Sequence, residues 1–243
     1  MRSLIIAPGD DEAKLAAALA SEADAIVIDL DVDAARREKA RANAARFLRE
    51  AALRPDRPAA MARVAPLSGG ETDPDLDAII AAAPRAVLLP KARWRASVQQ
   101  LSVKLALREA LCGLKDGATG IIAIVDTAAA LLSLASFCGA SARLIGIAWD
   151  AEALRADVGA ETARDGGAFA GPFRLAREMT LFAAAAANVA AIDTAFADAS
   201  DDAATKAEAL AAKRTGFGAK FAIDPAQAKI INAAFAAEKA ARR

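Results

Sequence analysis

GIIAIVDTAAALLSLASFCGASARLIGIAWD, residues 120–150, is the stretch of this sequence that decides the fold. It contains two short apolar runs, Gly120–Val125 and Leu144–Trp149, with a helical pattern over Thr127–Phe137 between them. Neither run alternates apolar with polar residues, which is typical of strands buried on both faces of a parallel sheet. The stretch therefore predicts a strand–helix–strand unit with parallel strands.

The same unit recurs on both sides of this stretch, over all 243 residues. Six further apolar runs predict strands, at Ser3–Ala7, Ala25–Leu30, Met61–Ala65, Ala86–Pro90, Val189–Ile192 and Lys220–Ile223. Seven further helical patterns lie at Glu12–Ser21, Ala34–Leu53, Asp75–Ala82, Ala96–Leu111, Phe173–Ala187, Ala203–Arg214 and Pro225–Ala240. Alternation of this kind, eight times over, predicts a closed (β/α)8 TIM barrel of the α/β class rather than a doubly wound sheet. We expect residues 1–243 to form it as a single domain, with irregular connections at Ser68–Asp73 and Ala151–Gly171.

The chain has no histidine, and its 31 Lys and Arg residues balance its 31 Asp and Glu residues. The first fact excludes Ser-His-Asp hydrolysis, Cys-His proteolysis and histidine-ligated zinc. The second leaves no net charge that would attract nucleic acid or an anionic membrane. No apolar run reaches the length of a membrane span, and the N-terminus turns acidic too soon for a signal peptide. We therefore expect a soluble cytoplasmic protein without nucleic-acid or membrane partners, in which Cys112 and Cys138 are small buried thiols.

Charged residues follow the predicted strands at the edge where a (β/α)8 barrel has its active site. In chain order they are Asp10, Asp29, Asp31, Arg63, Lys91, Asp126, Asp150, Glu152, Asp193 and Asp224. For Asp10, Asp193 and Asp224, a role as helix N-cap explains the position equally well. That explanation fails for Arg63 and Lys91, because a cation is disfavoured near a helix N-terminus. An anionic ligand explains these two residues better.

Several carboxylates that converge without histidine indicate a hard divalent cation such as Mg²⁺ or Mn²⁺, which prefers oxygen ligands. An arginine beside such a cation can bind a substrate carboxylate through two hydrogen bonds. Together the two groups would polarise a carbonyl oxygen and stabilise an enolate. This chemistry is typical of aldol-type cleavage or formation of a carbon–carbon bond.

Matching stretches at consistent spacing carry a resemblance over nearly the whole chain. They are RSLIIAPGD (2–10) with Lys14-Leu15, ADAIVIDL (23–30), Glu38-Lys39-Ala40-Arg41, RVAPL (63–67), VLLPKA (87–92), residues 124–149, LRADVGAE (154–161), AIDTAFAD (191–198) and GFGAKFAIDPAQAKIINAAF (216–235). In this order they resemble the citrate lyase β-subunit-like family, the HpcH/HpaI aldolase group of CoA-ester lyases. The resemblance implies a Mg²⁺-dependent barrel, often trimeric or hexameric, that cleaves or forms β-hydroxyacyl-CoA thioesters. A small carboxylate or acyl-CoA is then the expected partner, and a homo-oligomer the expected assembly.

The resemblance also implies roles for individual residues. Arg63 corresponds to the arginine that clamps the substrate carboxylate, and Asp126 stands where the family has a metal-binding glutamate. The second metal ligand of the family falls on Ala153, while its neighbour is kept as Glu152. The site candidates are therefore Arg63, Asp126 and Asp29 as catalytic residues, Arg63, Lys91 and Lys14 as substrate-binding residues, and Asp126, Asp150 and Glu152 as metal ligands.

The departures from the family pattern occur at residues that would bind metal or substrate, and not at residues that pack the core. Aspartate at position 126 shortens the ligand arm by one methylene, and Ala153 cannot bind a metal ion. Asp150 stands where the family has glycine, so a relocated ligand is one explanation. Asp11 replaces an arginine, and its charge would repel a CoA phosphate rather than bind it.

Three hypotheses follow. The first is a divalent-metal-dependent carbon–carbon lyase acting on a carboxylate-bearing β-hydroxyacyl-CoA or a related oxo-acid. The second is a catalytically silent paralogue that binds an anionic metabolite or a sister lyase subunit through Arg63, Lys91 and Arg93. The third is a metal-independent enzyme in which Asp126 or Asp150 is the general base.

Overall fold

Eight parallel strands close into a barrel in the computed structural model, which describes residues 1–52 and 58–236. The strands, numbered in chain order, are β1 Ser3–Pro8, β2 Ala25–Asp29, β3 Ala59–Arg63, β4 Ala86–Leu89, β5 Gly120–Val125, β6 Leu144–Trp149, β7 Arg164–Asp165, β8 Ala168–Phe169, β9 Ala190–Asp193 and β10 Ala219–Ala222. The barrel runs in the order β1-β10-β9-β6-β5-β4-β3-β2, and β7 and β8 form a separate antiparallel hairpin. The predicted (β/α)8 barrel is therefore confirmed.

Helices pack around the outside of the barrel. They are α1 Glu12–Ala20, α2 Arg37–Ala52, α3 Thr72–Ile79, α4 Arg95–Leu111, α5 Ala128–Leu132, α6 Ala151–Asp157, α7 Gly171–Ala186, α8 Asp202–Thr215 and α9 Pro225–Ala236. The predicted ends of α2 at Leu53 and of α9 at residues 237–240 lie outside the described residues. No helix in the described part of the chain has the combined length and apolarity that a membrane crossing requires.

Two apolar layers hold the barrel together, because each strand buries both of its faces. Leu4, Val27, Met61, Leu88 and Ile124 belong to a cluster of barrel residues inside the ring of strands. The alternate strand positions pack outwards against the helices in a second and larger cluster. Alanine supplies much of both layers, and its small side chain lets helices lie close to the strands.

The connection after β1 depends on Gly9. A Cβ atom at this position would lie 2.9 Å from the carbonyl oxygen of Asp29 and 3.0 Å from the Cβ of Ala40. The glycine therefore lets the chain pass directly over the end of β2, where its N–H donates to the Asp29 carbonyl at 2.8 Å. This close approach carries Asp10 to the same edge of the barrel as Asp29.

Three local expectations are wrong. The third strand is Ala59–Arg63 rather than Met61–Ala65. The stretch from Ala151 to Gly171 is ordered rather than irregular, because Asp150 caps α6 and a glycine turn at Gly166 and Gly167 closes the hairpin. Ser68–Asp73 likewise includes part of a 3₁₀ turn and the start of α3.

The two cysteines are exposed, so the expectation that they are buried thiols is wrong. Cys112 ends α4 immediately before Gly113, and Cys138 follows a 3₁₀ turn after α5. Both therefore lie at helix ends on the barrel surface rather than on an inward-facing side of a helix.

Candidate active site

The last residues of β2 and β3 form the best-defined ion pair at the carboxyl ends of the strands. Asp29 and Arg63 are paired in the register of the sheet. The Arg63 Nε donates to one carboxylate oxygen of Asp29 at 2.8 Å, and an η nitrogen donates to the other at 2.6 Å. Burial raises the pKa of Asp29, although the charge of Arg63 opposes that shift. The pair is thus a desolvated, two-pronged salt bridge.

Asp126 follows β5 and is 6% exposed. The main-chain N–H of Lys91 lies 2.9 Å from each of its carboxylate oxygens. Lys91 adopts a φ of 51°, in the left-handed region, which turns this N–H towards the carboxylate. Burial raises the pKa of Asp126 to about 6, against the opposing effect of the Lys91 N–H and charge. Asp126 is therefore a carboxylate that burial makes more basic than usual.

Asp150 lies beside Asp126, since their strands pair from Ala123 and Ile147 up to Val125 and Trp149. One of its oxygens accepts from the N–H groups of Glu152 and Ala153, each at 3.1 Å, and so caps α6. Its negative charge adds to the rise in the pKa of Asp126. The same charge helps to hold the pKa of Arg63 above its ordinary value, against burial, with Asp29 as the main partner. Asp150 therefore acts electrostatically on both Asp126 and Arg63.

Two of the site residues predicted from the sequence, Glu152 and Lys14, interact with other residues instead. Glu152 lies in the first turn of α6, is half exposed, and accepts from Arg155 at 2.8 Å. Lys14 lies in the first turn of α1, is two-thirds exposed, and its ammonium is 4.0 Å from Asp11. Neither side chain forms a hydrogen bond or an ion pair with Arg63, Asp126 or Asp150. The structure thus brings together Arg63, Asp29, Asp126, Asp150 and Lys91, but not Glu152 or Lys14.

Of the three residues with an N-cap alternative, only Asp224 behaves as a cap, accepting from the N–H of Ala226 at 2.7 Å. Asp10 instead accepts from Arg36 at 2.8 Å, and the neighbouring Asp11 caps α1. Asp193 is fully buried and binds other side chains. The N-cap explanation therefore holds for one residue of the three.

Asp193 is the centre of a buried network that sequence reasoning missed. It accepts from the indole of Trp149 at 2.7 Å and from two nitrogens of Arg177 at 3.0 Å. The ammonium of the fully buried Lys220 lies 3.4 Å away. Burial alone would raise the pKa of Asp193, but Lys220 and Arg177 hold it below its usual value. The signal in the sequence was a lysine inside an apolar strand, which requires a buried acidic partner.

An acidic cavity of about 540 Å³ lies next to the Asp29–Arg63 pair, at the ends of β1 and β2. Its charged lining residues are Asp10, Asp29, Asp31, Asp33, Arg36 and Arg37. Arg36 binds Asp10 and Asp33, while Arg37 lies near Asp31 and Glu71. Both arginines are therefore already neutralised by carboxylates of this chain.

The pair of Asp126 and Asp150 fits a divalent cation. Both side chains offer hard oxygen donors, and their mutual repulsion would be relieved by a cation between them. Among the described residues, no group of three or more acidic, histidine or cysteine side chains has the arrangement of a metal site. Mg²⁺ is often held by only one or two carboxylates, together with water and substrate oxygens. Asp126 and Asp150 are therefore the two residues that could hold such a cation.

Comparison with known proteins identifies relatives of this chain. The family model described as HpcH/HpaI aldolase/citrate lyase matches residues 2–225. Citrate lyase subunit beta of Escherichia coli strain K12 is 30% identical over 237 residues, which are 97% of this chain and 76% of that protein. Mitochondrial citramalyl-CoA lyase of Rattus norvegicus is 27% identical over 247 residues, covering 96% and 71% of the two chains.

Solved structures of similar proteins superpose on this chain. The protein CitE from Mycobacterium tuberculosis, in complex with magnesium and acetoacetate, superposes with a TM-score of 0.81 at 28% identity, covering 96% of this chain and 90% of that one. A complex of the same protein with magnesium, acetoacetate and coenzyme A gives a TM-score of 0.80 at 29% identity, covering 96% and 80%. Bound magnesium and a small oxo-acid are thus features of these neighbours.

Proposed function

Since this chain belongs to the HpcH/HpaI aldolase/citrate lyase family, we propose that it is a divalent-metal-dependent carbon–carbon lyase. Its substrate class is a carboxylate-bearing β-hydroxyacyl-CoA or a related oxo-acid. Magnesium, acetoacetate and coenzyme A in the neighbouring structures support this substrate class. The observation that carries the proposal is that Asp126 and Asp150 follow the paired strands β5 and β6 at the end of the barrel where Asp29 and Arg63 also pair.

Each residue has a defined part in this proposal. Asp126 and Asp150 would hold the cation, whose chemistry would be to stabilise negative charge on an oxo-group oxygen. Arg63 would bind the substrate carboxylate through guanidinium N–H groups that Asp29 leaves free or shares, and so would fix the carbon chain in one direction. Asp29 holds the guanidinium in place through a salt bridge, and Lys91 adds positive charge beside Asp126.

In the cleavage direction, the substrate β-hydroxyl loses its proton and the bond between its carbon and the α-carbon breaks. The electron pair of that bond passes to the thioester as an enolate, which then takes up a proton. The proton that leaves the hydroxyl balances the one that the enolate carbon takes up, and its transfer is a general acid–base step. Water is limited beside Asp126, because this side chain is almost completely buried.

Turnover of citramalyl-CoA tests the proposal. The protein is assayed for release of acetyl-CoA and pyruvate with Mg²⁺ and with a chelator in its place. We expect cleavage that depends on the metal ion and that falls at least about a hundredfold in Arg63→Ala, since a charge-assisted bidentate contact is lost. Cleavage that continues in the presence of the chelator would contradict the proposed metal dependence. The absence of any cleavage would contradict the proposed lyase activity.

A second candidate is a catalytically silent paralogue that binds an anionic metabolite or a sister lyase subunit. Ala153 favours it, because this residue has no side chain that could bind a metal where the family has a ligand. The test is the double variant Asp126→Glu with Ala153→Asp. A gain of cleavage activity over an inactive parent would indicate a decayed metal site, whereas an active parent would exclude this candidate.

The remaining properties are also proposals. The ligand would be a small carboxylate or an acyl-CoA, although Asp11 caps α1 where the family has an arginine for phosphate. Assembly as a homo-oligomer, a trimer or a hexamer, and a location in the cytoplasm stay predictions. So does the assignment of residues 1–243 to a single domain.

A further inference from the structure

A second pocket, of about 340 Å³, lies between the β7–β8 hairpin and helices α7 and α8. None of its lining residues belongs to the candidate active site described above. Its walls are largely apolar, with Ala168, Phe169, Ala207 and Ala211 among them. Three arginines also line it, which are Arg164, Arg174 and Arg177. An apolar pocket with a few convergent polar groups is typical of a small-molecule site.

Aromatic rings hold two of these arginines in place. The guanidinium of Arg164 lies 4.1 Å from the centre of the Phe169 ring and 5.1 Å from that of Phe196. Arg177 lies 5.0 Å from the ring of Phe217 and 5.9 Å from that of Phe169. Stacking of this kind restricts the orientation of the planar guanidinium, so its remaining donors are held in place before a ligand arrives. The pocket is therefore preorganised.

Arg174 differs from the other two, since its side chain pairs with no carboxylate in the part of the chain that the structure describes. Within the described ranges, Arg164 pairs with Glu208 and Arg177 with Asp193, but the side chain of Arg174 forms no ion pair. It is exposed and lies in the first turn of the 16-residue helix α7, where the helix dipole disfavours a cation. An exposed cation at this position, with no ion pair to the described residues, is available to an external anion.

The charges around the pocket are of both signs, with one more cation than carboxylate. Glu178 also lines the pocket, and Glu208 is shared between Arg164 and the buried Lys220. The cations in and behind the pocket are Arg164, Arg174, Arg177 and Lys220, and the carboxylates are Glu178, Asp193 and Glu208. The net charge of this set is therefore +1, and among the described residues Arg174 and Glu178 are its two members whose side chains form no ion pair.

We propose that this pocket binds a small carboxylate with a flat apolar body. The carboxylate pairs with Arg174, and the flat body lies against Phe169 and the alanines of α8. The site is separate from the metal and substrate site, and the proposal does not depend on the lyase activity. Phe169 packs edge-on against Trp149, with 5.0 Å between ring centres, so a ligand on Phe169 would alter the surroundings of this indole.

Fluorescence of Trp149 provides the test. The chain has two tryptophans, and Trp94→Phe leaves Trp149 as the single reporter. We expect benzoate to change the emission saturably, and benzamide, its neutral analogue, to bind at least about tenfold more weakly because the charged contact is missing. Arg174→Ala should weaken the binding of benzoate by about tenfold or more, and Arg174→Lys should weaken it by a smaller factor. Arg49→Ala, which removes an exposed arginine on α2, is the matched control and should leave binding unchanged.

Three results would overturn the proposal. They are equal binding of benzamide and benzoate, unchanged benzoate binding in Arg174→Ala, and no saturable signal at all. The variant Arg63→Lys separates this pocket from the active site. Benzoate binding that is retained in Arg63→Lys supports the separate pocket, whether or not the chain is a lyase, and loss of binding there would assign the signal to the active site instead.

Discussion

Arg63 donates to both carboxylate oxygens of Asp29, at 2.8 and 2.6 Å, from paired positions on neighbouring strands. The arginine that is expected to bind the substrate carboxylate is therefore already engaged by a carboxylate of the protein. A substrate must share the guanidinium with Asp29 or displace it in part. The affinity for an anionic substrate therefore depends on how well its carboxylate competes with Asp29 for the guanidinium of Arg63.

The first prediction concerns this balance. Asp29→Asn removes the competing charge but keeps an oxygen that can accept a hydrogen bond from Arg63. We expect oxaloacetate to bind about fivefold more tightly, which corresponds to about 1 kcal/mol. Isothermal titration of oxaloacetate into the parent and the variant measures the difference.

Asp31→Asn is the control for that experiment, since Asp31 lines the same cavity but does not accept from Arg63. It should change oxaloacetate affinity much less than Asp29→Asn does. Weaker binding in Asp29→Asn would show that Asp29 orients Arg63 more than it competes with the substrate.

The second prediction concerns Asp126 and Asp150. Asp150→Asn removes the neighbouring negative charge that adds to the raised pKa of Asp126. We expect the pKa of Asp126, about 6 in the parent, to fall towards its ordinary value. A pH titration of the carboxyl carbon by NMR, with labelled aspartate, measures it.

Glu152→Gln is the matched control for that titration. Glu152 follows Asp150 by two residues but pairs with Arg155, so the pKa of Asp126 should not change. An equal fall in both variants would place Glu152 at the metal site, as the family resemblance implied. An unchanged pKa of Asp126 in Asp150→Asn would show that the charge of Asp150 does not act on Asp126.

The third prediction concerns stability against pH. Burial raises the pKa of Asp126 from 3.8 to about 6, so the folded state binds more protons than the unfolded state between these values. Charged Asp126 therefore destabilises the fold above about pH 6, and this cost disappears as the pH falls below 4. Asp126→Asn should be more stable than the parent at pH 8, by up to about 3 kcal/mol.

Urea unfolding at pH 8 and at pH 4 checks this sign, because the advantage of Asp126→Asn should shrink at the lower pH. An advantage of the same size at both pH values would assign the effect to packing rather than to the buried charge. Greater stability of the parent at pH 8 would contradict the raised pKa.

The fourth prediction concerns the buried network. Asp193→Ala leaves Lys220 and Arg177 without their shared carboxylate, and Lys220 is completely buried. Loss of one partner of a buried ion pair costs about 3–5 kcal/mol. Asp165→Ala, in the exposed hairpin, is the control and should leave the urea midpoint unchanged. Equal midpoints for the two variants would show that the network does not stabilise the fold.

The sequence predicts some elements to the residue and misses others for a physical reason. Gly120–Val125 and Leu144–Trp149 have the predicted bounds, because a polar residue directly follows each buried run. The third strand is displaced by two residues, since alanine and valine lie on both sides of its true end at Arg63. Where neighbours are equally apolar, pairing with the adjacent strand decides the bounds, and one sequence does not show that pairing.

The same distinction holds for the candidate site. The residue types at strand ends pointed to Arg63 and Asp126, because charge at those positions needs an explanation. The partner of Arg63 depends on register across 34 residues, and the partner of Asp126 on the backbone angle of Lys91. The direction of Glu152 depends on Arg155, one turn further along α6. Contacts of this kind are set by the folded chain and not by the order of residues alone.

Titration of Mn²⁺ into the protein, with and without oxaloacetate, tests most directly whether Asp126 and Asp150 form one metal site beside Arg63. We predict a single binding event in the parent that oxaloacetate strengthens. We also predict that it is lost in Asp126→Asn and in Asp150→Asn, and that Glu152→Gln keeps it. Absence of Mn²⁺ binding in the parent, unchanged by oxaloacetate, would contradict the metal-dependent lyase.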